Sequence, residues 1–323
     1  MINSIEVLTN VLLNLFKEKN IRLQKIDSLE MPLNYYISEI MLNKILEIIF
    51  EFCSTNQYCM SINRNKYSQV KVILFDKSTI ERLTFVFVTC MPTNINKFLE
   101  DIYNKKINFL KKINIIPVIG PDGVGKSTIL NEVINTLEER VFFKRFKKVV
   151  RNSVLYNIFH PLNKNSVRKK VGKKSVKNQH DDIHYLLCIL SALSAYPYLL
   201  FQILVKKRIV FLDRFFYDYL LKNISFLNKE TYLRENWRLL LKIIPRSYFL
   251  IHLDADAKII LSRKEELSKD DIDKYRKLNF KLYLEKPSIV YVYINTGLKI
   301  ERCKEVLLSA LSDNSLIKKK SYI

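Results

Sequence analysis

Apolar positions recur at helical spacing over Ile2–Lys19, where Ile5, Leu8, Leu12, Leu15 and Phe16 share a face interrupted by Glu6, Asn10 and Asn14. The same period returns over Ile40–Phe52. Two β-branched and aromatic runs follow, Val70–Phe75 and Leu83–Thr89, with Asp76–Ser78 as turn material between them. Asn94–Lys112 is polar, rich in Lys and Asn, and helical in pattern, which suits a connecting helix. Residues 1–112 therefore read as a small α+β domain.

From Ile113 the texture changes to short apolar runs alternating with long helical stretches, the pattern of a parallel sheet with crossover helices. Strands are expected at Ile113–Ile119, Ile209–Leu212, Ser247–Leu253 and Ile289–Ile294, and a closing helix at Lys299–Ser312. Pro117 is awkward inside the first of these, since proline is normally kept to strand ends and edges. The reading gives an α/β domain over residues 113–315 and a basic tail over 316–323, with Lys318–Lys320 solvated. Leu186–Val205 is an uncharged run of 20 residues followed by Lys206, Lys207 and Arg208, long enough to span a membrane. Ser191, Ser194, Pro197 and Gln202 weaken that reading, and a core helix covering the next strand is favoured.

At 323 residues, 48% hydrophobic and 27% charged, the chain belongs with globular proteins of about two domains. Its net charge of +22 suits phosphate-bearing partners, although the abundance of Lys, Asn, Ile, Tyr and Phe also fits an AT-rich coding sequence. Five scattered cysteines without C-x-x-C spacing, and no signal peptide at the N-terminus, point to a reducing cytoplasm and no structural zinc.

Three of the five glycines fall within six positions, in "IIPVIGPDGVGKSTIL". Gly120 to Ser127 fits G-x-x-x-x-G-K-[ST], placed after an apolar run and before the helical run Ile129–Arg140, where a phosphate-binding loop must stand. Gly120, Gly123, Val124, Gly125, Lys126, Ser127 and Thr128 are thus the expected cradle for ATP. Glycines let backbone N–H groups turn toward phosphate oxygens, Lys126 reaches the terminal phosphates, and the Ser127 hydroxyl faces Mg²⁺. "RIVFLDRF" is an apolar strand ending in Asp213, a second oxygen ligand for Mg²⁺. Hydrolytic relatives of such loops often carry a glutamate next; Arg214 instead offers a fixed cation for an acceptor's anionic group. The stretch "DADAKIILSRKEELSKDDIDKYRKL" reads as a charged helix carrying Arg263, Lys264, Lys269, Lys274 and Arg276, a candidate mobile cover. Arg263 is the expected cation over the transferring phosphoryl group.

"IGPDGVGKST", "IVFLDRFFYD" and "FLIHLDADAKIILSRKEEL", in this order, resemble the thymidylate kinase family of P-loop nucleoside and nucleotide kinases over about Asn114–Ser312. The resemblance implies that Asp122 lies near the acceptor, that Asp213 and Arg214 orient acceptor phosphate and metal, and that Arg263 is a lid arginine. The basic stretch Arg140–Gln179 does not align with the family's acceptor pocket, so the sequence does not specify thymidylate as the acceptor. "DRFFYD" and the N-terminal domain look more like divergent bacterial thymidylate-kinase-like proteins. The N-terminal unit resembles a nucleotidyltransferase-like domain, but "LNYYIS" stands where paired aspartates would be, so it is read as non-catalytic.

"HDDIH" places His180 and His184 at i,i+4 without a third ligand, and the basic run Arg168–Lys177 lacks interleaved aromatics. Neither makes a metal or nucleic-acid site the favoured reading. The expected activity is ATP- and Mg²⁺-dependent transfer of the γ phosphoryl group to a nucleotide-like or other small anionic acceptor. Two alternatives stay open: a polynucleotide kinase, and an ATP-binding regulatory module without transferase activity. A homodimer is also left open.

Overall fold

A computed structural model describes residues 4–19, 24–25, 33–66, 68–75, 82–89, 94–113, 115–137, 140–153, 190, 193–216, 244–264, 267–285 and 287–317. The fold is mixed α/β, with flanking helices and several parallel strand pairs. Its contacts divide the chain into two compact units. The first joins Met1–Asn114, Gly120–Glu139 and Arg246–Ile323; the second joins Ile115–Ile119 and Arg140–Pro245.

In the first unit, strands β1 (Gln24–Lys25), β2 (Leu33–Tyr36), β3 (Cys59–Lys66), β4 (Gln69–Phe75) and β5 (Arg82–Val88) come from the N-terminal part. Strands β9 (Phe249–Asp254) and β10 (Val290–Asn295) come from the C-terminal part. The order is β1-β2-β5-β4-β3-β10-β9. The β3-β4-β5 meander is antiparallel, β2 runs parallel to β5, and β10 runs parallel to β9. β10 also pairs antiparallel with β3, with Val290 opposite Asn63 and Tyr293 opposite Met60. The N-terminal strands and the C-terminal pair are therefore hydrogen-bonded into one sheet, an arrangement that no local periodicity announces.

Alternation decides which sheet face is buried. Met60, Ile62, Val70, Val72, Leu74, Leu83, Phe85 and Phe87 share one face and are buried, as are Leu8, Leu12 and Phe16 of α1 (Ser4–Glu18). Helix α2 (Glu39–Asn56) packs on α1; Ser38 caps it by accepting from the Met41 N–H. Tyr35, at the centre of "LNYYIS", stacks on Phe85 and Phe87 as an aromatic core residue. Helix α3 (Asn94–Lys112) touches β3, and α4 (Lys126–Thr136) packs on the last helix, α9 (Ile300–Asp313). Leu316 and Ile317, expected in a basic tail, are buried; 318–323 lie outside the described residues.

Among its described residues the second unit holds three parallel strands in the order β6-β8-β7: β6 (Ile115–Ile119), β7 (Val141–Arg145) and β8 (Ile209–Asp213). β8 is central and wholly buried, as its near-continuous apolar run requires. Pro117 stands in mid-strand opposite Leu212. Because Val118 O accepts from the Arg214 N–H, Val118 faces β8 and Pro117 nitrogen faces away, so the β6-β8 ladder loses no bond.

Among the described residues this unit also holds helices α5 (Phe146–Arg151) and α6 (Tyr196–Leu204). Of the core helix expected over Leu186–Val205, 186–189 and 191–192 lie outside the described residues, Leu190, Leu193 and Ser194 are helical, and the last part is only half-buried. α6 starts at Tyr196 with Pro197 in its first turn and buries Leu199, Gln202 and Ile203, while Tyr198, Phe201, Leu204 and Val205 are exposed. Among the described residues no helix is long and apolar enough to cross a membrane. "HDDIH" and the run Arg168–Lys177 lie outside the described residues.

Candidate functional site

The phosphate-loop motif forms the turn into α4. Gly120, Gly123 and Gly125 all have positive φ, at 145°, 89° and 88°. At Gly120 the requirement is also steric: a β-carbon there would stand 2.2 Å from Leu253 O, at the end of β9. Gly125 is the N-cap of α4 and gives it no side-chain cap, so the first-turn N–H donors are left for another acceptor. Ser127 and Thr128 are exposed in that first turn.

Lys126 is buried at 6% exposure. Its Nζ donates to Gly120 O at 2.9 Å and Pro121 O at 2.8 Å, and lies 3.8 Å from Asp122 Oδ1. The ammonium thus lies across the loop it belongs to. Val124 is fully buried, and its carbonyl accepts from Thr296 Oγ1 at 2.8 Å, tying the loop to the end of β10.

Arg263 ends the short helix α7 (Ala257–Arg263), which is capped by Asp256 accepting from the Lys258 N–H. A guanidinium nitrogen of Arg263 lies 3.6 Å from where a β-carbon on Gly125 would be, and Nη2 reaches Thr296 O at 3.5 Å. Asp122, Lys126 and Arg263 are therefore brought to one loop within the first unit.

Arg276 does not belong to a mobile cover. It sits on α8 (Lys269–Glu285) and clamps Asp254, which is completely buried at the end of β9, through Nε and, at 3.2 Å, Nη2. Its other bonds go to Ala255 O and Asp273, and Tyr293 OH donates to Asp254 Oδ2 at 2.9 Å. A buried carboxylate held by this many donors is a fixed structural anchor. Lys269 and Lys274 of the same helix are exposed. Next to it, His252 is buried among Phe50, Tyr291 and Tyr293, with Nδ1 2.7 Å from Tyr291 OH. Burial pushes its pKa down to about 4, with Arg276 and Lys126 adding to the effect and Asp254 opposing it.

In the second unit, Asp213 ends β8 in register with Val118 on one side and Arg145 on the other. Its carboxylate is buried; Oδ2 accepts from Arg145 Nε at 3.3 Å, and Oδ1 has no hydrogen-bond partner among the described residues. Arg214 turns the chain with φ 68°, a left-handed conformation costing a non-glycine residue about 1 kcal/mol. Packing holds the turn: Phe146 lies 5.3 Å from Phe215 and 5.1 Å from Phe216, ring centre to ring centre.

Arg145 and Thr296 escaped the sequence reading. The short apolar run Val141–Phe143 was the available signal for the first, obscured by the surrounding basic residues. Thr296 follows β10 and carries no motif of its own.

No protein-family model matches the chain, and no curated protein matches it. Among solved structures, a deoxyadenosine kinase from M. mycoides with bound dCTP is similar over 62% of this chain and 99% of that one. The identity is 16% and the TM-score 0.37. The narrower likeness to thymidylate kinases is not carried by this comparison.

Proposed function

We propose that the chain is a P-loop phosphotransferase that moves the γ phosphoryl group of ATP to a nucleotide-like or other small anionic acceptor. The observation that carries the reading is the loop itself: three left-handed glycines lead into a helix start without a side-chain cap, beside Lys126 and Arg263. Such a turn presents N–H donors and two cations to an anion.

Roles follow from each residue's own surroundings. Gly120, Gly123, Val124, Gly125 and Thr128 hold the donor phosphates. Lys126 exchanges its two loop carbonyls for phosphate oxygens, which requires that its present bonds be given up. Ser127 and Asp213 are the oxygen ligands proposed for Mg²⁺. Each suits a hard cation by its own surroundings: Asp213 Oδ1 is buried without a hydrogen-bond partner among the described residues, and Ser127 is exposed in the first turn of α4. When bound, Mg²⁺ neutralises charge on the phosphate oxygens. Arg263, exposed at the end of α7, places its guanidinium against the γ phosphoryl group, and Arg214 with Asp122 orients the acceptor.

The test is a labelled γ-phosphate transfer screen over nucleoside monophosphates, nucleosides, sugars and short oligonucleotides. Transfer to a small acceptor, abolished by Lys126→Ala in a protein with unchanged circular dichroism, is the expected outcome. Normal transfer by folded Lys126→Ala refutes the assignment. ATP binding with no transfer to any of the four classes points to the regulatory module, and transfer to oligonucleotides alone to the polynucleotide kinase.

A further inference from the structure

The meander face opposite the apolar core mixes polar side chains with the buried Ile73 and Phe75. Ser61 and Asn63 of β3, Lys71 of β4, and Arg82 and Thr84 of β5 point to this side, because Ser61 pairs with Ile73, Ile73 with Thr84, and Asn63 with Lys71. The C-terminal end of α9 stands against them and closes an open cavity of about 740 Å³. A volume of this size is typical of a small-molecule site.

Three hydrogen bonds build its wall. Arg82 Nη1 donates to Asp313 Oδ2 at 2.8 Å and Nη2 to Ser309 Oγ at 2.6 Å; Asn63 Nδ2 donates to Asn314 Oδ1 at 2.8 Å. Three carbonyls in the last turn of α9 are already taken. Ala310 O accepts from Asn314 Nδ2, Leu311 O from the Leu316 N–H, and Ser312 O from the Ser315 N–H. The helix end therefore presents fewer free acceptors to the cavity than a frayed terminus would.

What remains is rich in donors. Ser61, 3% exposed on the floor, has a hydroxyl with no hydrogen bond among the described residues, and the same holds for Thr84. With Arg82 and Asp313 cancelling one another, Lys71 leaves the lining with one net positive charge, and it has no acidic partner among the described residues. Phe75 is the aromatic side chain of the lining, and the Arg82 guanidinium lies 5.4 Å from its ring centre. Phe75 is buried, so its ring offers no open face to a nucleobase.

We propose that this cavity is a second binding site, separate from the phosphate loop, for a small hydroxylated phosphate monoester of the sugar-phosphate class. Lys71 takes the phosphate, and the Ser61 and Thr84 hydroxyls meet the sugar hydroxyls. The proposal is independent of the kinase reading, and the phosphate-loop variant separates the two.

Calorimetric titration of the full chain with ribose 5-phosphate, inorganic phosphate and ribose, at constant ionic strength, tests it. Ribose 5-phosphate is expected to bind the natural protein and Lys126→Ala alike, more tightly than inorganic phosphate, with ribose alone silent. Lys71→Met, an exposed position that leaves the fold intact by circular dichroism, is expected to weaken binding about tenfold, the loss of one charge-assisted bond. Thr84→Val is expected to weaken ribose 5-phosphate and leave inorganic phosphate unchanged. Absence of ribose 5-phosphate binding overturns the proposal. So does binding that Lys126→Ala removes and Lys71→Met spares, which places the anion on the phosphate loop. Equal affinity for inorganic phosphate overturns the sugar contacts.

Discussion

His252 makes stability depend on pH in a calculable way. The ring is completely buried, and its pKa falls from 6.5 to about 4 in the folded chain. Below pH 6.5 the unfolded chain takes up a proton that the folded chain refuses. Stability from this group is therefore complete above pH 6.5, falls as pH drops toward 4, and levels off below. The gap amounts to about 3 kcal/mol in full and about 2 kcal/mol between pH 8 and pH 5. Urea unfolding followed by far-UV circular dichroism at those two pH values gives the loss. Carboxylates contribute to it too, so the informative quantity is the difference between the natural protein and His252→Asn. Asn keeps a polar atom near Tyr291 OH and does not titrate. The variant is expected to lose about 2 kcal/mol less than the natural protein over the interval. An equal loss in both would refute the argument, because the acid sensitivity would then lie elsewhere.

Two further outcomes follow from the loop and its support. Gly120→Ala places a β-carbon 2.2 Å from Leu253 O at a φ of 145°, so the loop must shift; ATP affinity measured by calorimetry is expected to fall at least tenfold. Arg276→Met leaves Asp254, 0% exposed, with Tyr293 OH but without its cation, and is expected to cost about 3 kcal/mol in chemical denaturation. A loss under about 1 kcal/mol would mean that the carboxylate is not held by this pair.

The glycine turn into α4 was legible because its conformation is local. A strand, six residues and a helix start are contiguous, and positive φ at three positions leaves glycine as the residue that fits without strain. Strong local periodicity likewise announced α2, α3, β4, β5, β8, β10 and α9 to within a few residues. β3 was missed because "CMSINRNK" alternates apolar with polar residues too weakly to stand out, its polar face lining a cavity. β7 was missed because its lysine and arginine blend into a basic stretch. Arg276 was misread as part of a mobile cover because exposed and anchored arginines look alike in a charged helix. Its partner Asp254 lies 22 positions away, and only the fold brings them together.

The amino-acid order alone determined the side chains available here: a glycine-rich loop of the phosphate-binding pattern, an Asp-Arg strand end, and arginines downstream. These are short-range statements, written in residues adjacent along the chain. Tertiary structure decided which groups are already committed. It bonded Lys126 to its own loop, tied Val124 to Thr296, paired Asp213 with Arg145, and joined β3 to β10. All but the first depend on side chains and edges that meet only after long loops close. The entropy of closing such loops is repaid by burial spread over many residues, so no single stretch of sequence records the outcome.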